Sequence, residues 1–154
     1  MLIGVISDTH GLLRPEAIAA LQGAQHIIHA GDVGAPEVLA ALAAIAPVTA
    51  VRGNNDKGAW AARIPETAVF ETDGLSIYVL HDLQELDLDP VAGGFGVVVA
   101  GHSHRPSQAQ RDGVLFFNPG SAGPRRFRLP ICVGRLHVQD GAARAELVDL
   151  GVPA

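Results

Sequence analysis

Cysteine is nearly absent from this chain: Cys132 is the single one in 154 residues. No internal disulfide can form, so the fold must rest on its core, and a reducing compartment is the natural setting. Long apolar runs are absent as well. The longest, such as residues 2–6 and 97–100, fall far short of the roughly 20 residues of a membrane helix. No basic leader precedes the first apolar run, so we expect no secretory signal and a cytoplasmic protein with no membrane partner. Positive charge is also scarce. Eleven Lys and Arg stand against sixteen Asp and Glu, a formal charge of −5. That balance argues against broad binding to nucleic acid, yet it leaves room for a compact cationic site.

Apolar residues make up 48% of the chain, enough to bury one core without staples. No repeat, low-complexity tract or polar linker interrupts it, so residues 1–154 read as one domain. Residues 2–7, 25–30 and 48–52 read as buried strands. Between them, Pro15 opens a helix that runs to about Gln22, and Pro36 opens a second that Pro47 ends. Strands alternating with helices imply a parallel sheet. Further on, Asp73-Gly74, Asp112-Gly113 and Asp140-Gly141 each sit between β-rich runs and predict hairpins. Residues 83–92 are assigned a short helix. The residues thus predict an α/β protein with one parallel-rich sheet and a second, mostly antiparallel one.

The chemistry follows the apolar strands. They run into Asp8-Thr9-His10, Gly31-Asp32, Gly53-Asn54-Asn55-Asp56, His81-Asp82 and Gly101-His102-Ser103-His104. In open α/β sheets, ligands bind beyond the carboxyl ends of strands. Five such loops at one edge would gather oxygen donors from Asp8, Asp32 and Asn54 with nitrogen donors from His10, His81, His102 and His104. In extended backbone, Asp8 and His10 would point the same way, as would His102 and His104. Seven donors exceed one tetrahedral ion and suit two ions sharing a carboxylate. Mixed oxygen and nitrogen ligation without thiolate favours Mn, Fe, Zn, Co or Ni over Ca or Mg. Two divalent ions against two carboxylates remain net positive, even with a bridging hydroxide, and so can hold a phosphate ester.

These blocks, in this order, resemble those of the calcineurin-like metallophosphoesterases, in particular the small single-domain prokaryotic members. Asn118-Pro119-Gly120-Ser121 is similar to the segment that follows in those members. The resemblance implies two mixed β-sheets packed as a sandwich with helices on the outer faces, a four-layer αββα arrangement. It implies hydrolysis of a small phosphate ester, a diester by preference, by a metal-bound hydroxide, with manganese the first expectation. Carried over by resemblance, Asp8, His10, Asp32 and His104 hold one ion. Asp32, Asn54, His81 and His102 hold the other. Many members place His after the motif's Asn; here Asn55 stands there and brings no proton acid for the leaving group. The alternative reading is a scaffold, since a protein-sorting subunit of this fold uses it to bind partners.

Other residues carry weaker expectations. Arg52 and Arg14 flank motif loops and could touch phosphate, Arg52 the better candidate. His29, three residues before Asp32, reads either as a partner of the ligands or as a hydrogen-bonded core histidine. His26 and His137 read as structural or exposed, and Cys132 as inert core. The run Arg125-Arg126-Phe127-Arg128 reads as solvated surface. Trp60 reads as core or as a contact in a homo-oligomer. Specificity is expected from residues 57–65 and 93–96.

Overall fold

A computed structural model describes residues 1–153. Its elements, in chain order, are β1 (Leu2–Ile6), α1 (Pro15–Ala20), β2 (His26–His29), α2 (Pro36–Ala43), β3 (Val48–Ala50), α3 (Ala59–Ala62), β4 (Thr67–Thr72), β5 (Leu75–Leu80), β6 (Val97–Val99), β7 (Ser107–Arg111), β8 (Val114–Asn118), β9 (Cys132–Gln139) and β10 (Ala142–Asp149). The strands form two five-stranded sheets, ordered β10-β9-β1-β2-β3 and β4-β5-β6-β8-β7.

Both sheets are mixed, so parallel and antiparallel pairing do not segregate between them as the hairpin signals suggested. In the first sheet β1 pairs in parallel with β2, and β2 with β3. In the second, β5, β6 and β8 are parallel neighbours. Each parallel triplet is extended by antiparallel hairpin partners: β9 and β10 beside β1, β4 beside β5, and β7 beside β8. The three Asp-Gly turns lie where expected. Asp73, Asp112, Asp140 and the glycine after each have positive φ, the geometry that matches the twist of a two-residue hairpin.

Burial explains the sandwich. Every residue of β2 is buried, whereas β7 is exposed throughout and β4 and β10 alternate. Ile3, Val5 and Ile28 of the first sheet pack on Ile77, Val99 and Phe117 of the second. Helices α1 and α2 cover the far side of the first sheet through Ala17, Leu21, Val38 and Leu42, and Trp60 joins that cluster. Trp60 is therefore half-buried against the core. The far side of the second sheet is covered by chain instead of helix. Residues 83–92 form only a 3-10 turn at Leu83–Glu85, capped by Asp82 accepting from the Gln84 N–H at 3.0 Å. Leu83, Leu86, Leu88 and Phe95 pack there against Tyr78 and Leu80. Pro90, Gly93 and Gly94 leave no room for a longer helix. Among the described residues, no helix is long and apolar enough to cross a membrane.

Candidate metal centre

The two parallel triplets end at the same edge of the sandwich, and their carboxyl ends carry the motif loops. β1 delivers Asp8 and His10, β2 delivers Asp32, and β3 leads to Asn54. From the other sheet, β5 delivers His81, and β6 delivers His102 and His104. Asp8, His10 and His104 bring one potential ligand atom each within 4.8 Å of one another, and so do Asp8, Asp32 and His81. Asn54 and His102 close the second group: Asn54 Oδ1 lies 3.0 Å and His102 Nδ1 3.3 Å from His81 Nε2. All seven predicted donors thus meet.

They do not meet in extended backbone. Asp8, His10, Asp32, His102 and His104 have φ of 56°, 47°, 55°, 69° and 62°, the left-handed region that costs a side-chain-bearing residue roughly 1 kcal/mol or more. Asp and His tolerate it better than most. Pairs two apart converge because of this curl. Backbone bonds hold it: the N–H of Asp8 donates to the Gly31 carbonyl at 3.0 Å, that of His10 to Asp32 at 2.9 Å, and that of Gly11 to Val33 at 2.8 Å.

Around the donors lies a frame of hydrogen bonds. Ser7 Oγ donates to Asp8 Oδ2 at 2.7 Å, and the His102 N–H donates to the same oxygen at 3.0 Å. Asn55 donates to Asp32 twice, from its backbone N–H at 2.9 Å and its amide at 3.0 Å. Asp56 accepts from the N–H groups of Val33, Gly34 and Gly53 at 3.1, 2.9 and 2.9 Å. It ties the second and third loops together. Asn118 donates to the Gly101 carbonyl at 3.0 Å, and Ser121 Oγ to the Asp8 carbonyl at 3.1 Å. Ser7 carried no signal in the sequence beyond its place before Asp8. Asp56, Asn118 and Ser121 sat in recognised blocks without an assigned role.

The centre has more lone pairs than hydrogens. His81 Nδ1 lies 2.7 Å from the Ala30 carbonyl, which only accepts, so Nδ1 carries the hydrogen. In the neutral ring, Nε2 then turns a lone pair toward Asn54 Oδ1 and toward Asp32 Oδ2 at 3.4 Å. Asp8 Oδ1 and His10 Nε2 are buried with no hydrogen-bond partner. Burial pushes His81 down, but Asp32, Asp8 and the Ala30 carbonyl outweigh it and hold its pKa above the ordinary value. Burial raises Asp8 and Asp32. The pull of His104, Ser7 and His81 on Asp8, and of His81 and Asn55 on Asp32, overcomes it and holds both below the usual carboxylate range. Buried lone pairs and carboxylates short of partners are what a cation would satisfy. The donor set suits divalent transition-metal ions.

His29 joins two of the loops. It is fully buried. Its Nδ1 accepts from the Gly31 N–H at 3.1 Å, and its Nε2 lies 3.0 Å from Thr9 Oγ1. Thr9 spends its own hydrogen on the Val33 carbonyl at 2.8 Å, so Nε2 is the donor. Burial, the largest influence, drops the His29 pKa to about 4 from 6.5, although Asp8 and Asp56 pull the other way. Between those values the unfolded chain binds the extra proton and the folded one does not. His29 should therefore weaken the metal-free protein as pH falls from 6.5 toward 4, by roughly 1.4 kcal/mol per unit. His29→Asn should flatten that slope in urea titrations with chelator present; an unchanged slope would refute it.

The remaining candidates sort by contact. Arg52 lines a cleft of about 390 Å³ with Asn54, His81 and His102, but its guanidinium is held by Glu66 at 2.9 Å. Arg14 donates to the Gly123 carbonyl at 3.3 Å. His26 stacks on Phe70 with ring centroids 3.8 Å apart, and His137 sits 3.4 Å from Glu146. Burial raises the Cys132 thiol to about 11, which leaves it inert. Arg125 is tied to the carbonyls of Leu129 and Val152, while Arg126, Phe127 and Arg128 are exposed. Residues 57–65 and 93–96 do not line the cleft. Glu66, Thr67, Asp82, Glu85 and Asp87 do, because the edge strand β4 and the turn after β5 flank the site.

Two mixed sheets whose loops gather oxygen and nitrogen donors at one edge define a candidate metal site, and comparison with known proteins supplies the class. Residues 1–141 match the calcineurin-like phosphoesterase superfamily domain. A probable metallophosphoesterase of Methanothermobacter thermautotrophicus is 33% identical over 165 aligned positions, covering 99% of this chain and 95% of its own. A structurally characterised archaeal phosphodiesterase superposes with a TM-score of 0.80 at 26% identity, over 96% of this chain and all of the other. Vps29 of Chaetomium thermophilum, at 21% identity, shares the fold with a TM-score of 0.79 over 96% of each chain. The chain belongs to the calcineurin-like phosphoesterase superfamily. It is a metallophosphoesterase, a hydrolase of phosphoric esters.

Proposed function

We propose that the protein hydrolyses small phosphodiesters with two divalent transition-metal ions, manganese first, with Fe, Zn, Co and Ni as alternatives. The buried Asp8 Oδ1 and His10 Nε2, both without a hydrogen-bond partner, carry this reading. Asp8, His10, Asp32 and His104 would hold one ion, and Asp32, Asn54, His81 and His102 the other, with Asp32 shared. When bound, paired ions activate water and neutralise charge on the phosphoryl group.

The chain's own groups set the geometry. The Ala30 carbonyl fixes the His81 ring, Ser7 and the His102 N–H hold Asp8, and Asn55 grips both oxygens of Asp32. Asn54 and His102 are exposed at the cleft and are placed to touch substrate oxygen. Arg52 can exchange Glu66, which is 79% exposed, for a phosphate oxygen. The cleft, at about 390 Å³, fits a small ester better than a polymer.

Asn55 directs its amide into Asp32 and has no acidic proton for a leaving group. With Mn²⁺ the protein should cleave an aryl phosphodiester, lose that activity to a chelator and regain it on metal addition. An alkyl diester should react at least about a hundredfold more slowly, the effect of one absent general acid. Equal rates would reject the Asn55 reading. No turnover with any of the five metals would reject the function.

A further inference from the structure

A second hollow, of about 300 Å³, lies on the outer face of the second sheet. Val98 and Ala100 from the β6 end, Phe116 from β8, Ala109 from β7 and Leu83 give it apolar walls. Asn118 and Ser107 pair at the end of the β7–β8 ladder near His102, and Arg111 and Val114 pair at the other end. From that end the Arg111 guanidinium reaches back to stand 4.9 Å over the ring of Phe116, which pairs with Ala109 in mid-ladder. Asp82 and His102 belong to the linings of both this hollow and the metal-edge cleft. Their side chains approach to 3.8 Å and form the ridge between the two.

The two hollows differ in chemistry. The cleft is polar, with Glu66, Asp82, Glu85 and Asp87 on its wall. The second hollow is more apolar: polar Ser103, Ser107 and Asn118 lie at its His102 end, Phe116 in the middle and the Arg111 cation beyond it. A phosphate centred at the metal edge has a compartment on each side of His102. A monoester can fill one of them, and a diester can fill both.

The geometry points to an aromatic ester arm, aryl or nucleobase, seated in the hollow of Phe116, Ala109 and Arg111, with the other, polar arm in the acidic cleft. Ala109 stands opposite Phe116 in the β7–β8 ladder, and its small side chain, with that of Ala100, leaves the hollow open beside the ring. The Arg111 guanidinium already lies over the Phe116 ring, so a planar π-system there stacks on the guanidinium and meets the edge of the ring that holds it. This inference rests on the phosphodiesterase reading of the metal edge and adds the class of substrate to it.

The test uses the manganese-loaded protein and three substrates: bis(p-nitrophenyl) phosphate, thymidine p-nitrophenyl phosphate and bis(glycerol) phosphate. Ala109→Trp fills the hollow from an exposed strand where Trp is well tolerated. Phe116→Leu keeps apolar bulk but removes the ring. Each variant's kcat/KM is divided by the wild-type value for the same substrate, which cancels leaving-group chemistry. We expect the fall on the two aromatic diesters to exceed that on the glycerol diester by at least about tenfold, the effect of one stacked ring. The larger fall of the two identifies aryl or nucleoside as the source. Equal falls on all three substrates, or none, overturn the subsite while the wild-type activity stands. Absence of wild-type activity on every substrate overturns the phosphodiesterase reading itself.

Discussion

Asp32→Ala is expected to lower kcat/KM for an aryl phosphodiester by roughly a thousandfold or more, the equivalent of about 4 kcal/mol of transition-state stabilisation. Asp32 is the carboxylate shared by both proposed ion sites, so its loss would strip ligands from each. The fold should survive. The Asp32 carbonyl that accepts from His10, and the β2 strand before it, do not need the side chain. Removing the carboxylate also relieves Asn55 of a partner at an exposed position, where water replaces it. Metal content should fall with activity while circular dichroism stays constant. Undiminished turnover by this variant would remove the metal-centre assignment.

The second large effect comes from a single methyl group. Gly53 precedes Asn54, and a Cβ added to it would collide with the Asp32 backbone nitrogen and with its carboxylate oxygen Oδ1. Backbone cannot move aside cheaply here, because the Gly53 N–H is held by Asp56 at 2.9 Å and the Asp32 carbonyl by His10. Gly53→Ala should therefore cost about 3 kcal/mol of stability, the upper end of ordinary overpacking. It should also displace Asp32 enough to abolish measurable hydrolysis. Gly113→Ala is the comparison: that glycine has φ +80°, but a methyl added there would meet nothing within 4 Å, so only backbone strain of about 1 kcal/mol applies. Thermal melting and turnover of the two variants separate crowding at the centre from strain in a turn. A Gly53→Ala protein as stable and active as wild type would show that the loops are not packed this tightly.

Much of this was written along the chain. Continuous apolar runs marked β1 and β6, because strands buried on both faces carry no polar alternation. The Asp-Gly pairs marked the three hairpins, because few dipeptides accept two positive φ values. Five strands ran into Asp, Asn or His, and that placed the seven donors. The chain did not reveal which sheet each hairpin would join, and so the expected segregation of parallel from antiparallel strands failed. Strand pairing is a contest between distant partners, and β9 reaches β1 from more than a hundred residues away.

The donor set and the family resemblance were properties of residue type and order, which local sequence determines by itself. Tertiary structure alone decided that Asp8, His10, Asp32, His102 and His104 converge through left-handed backbone. Only packing of one loop against another can sustain that strain. It also decided that Asn55 grips Asp32, that Glu66 occupies Arg52, and that His102 divides a polar cleft from a more apolar hollow. Each of these joins residues from different loops or strands, and their distances arise only when the two sheets close on each other.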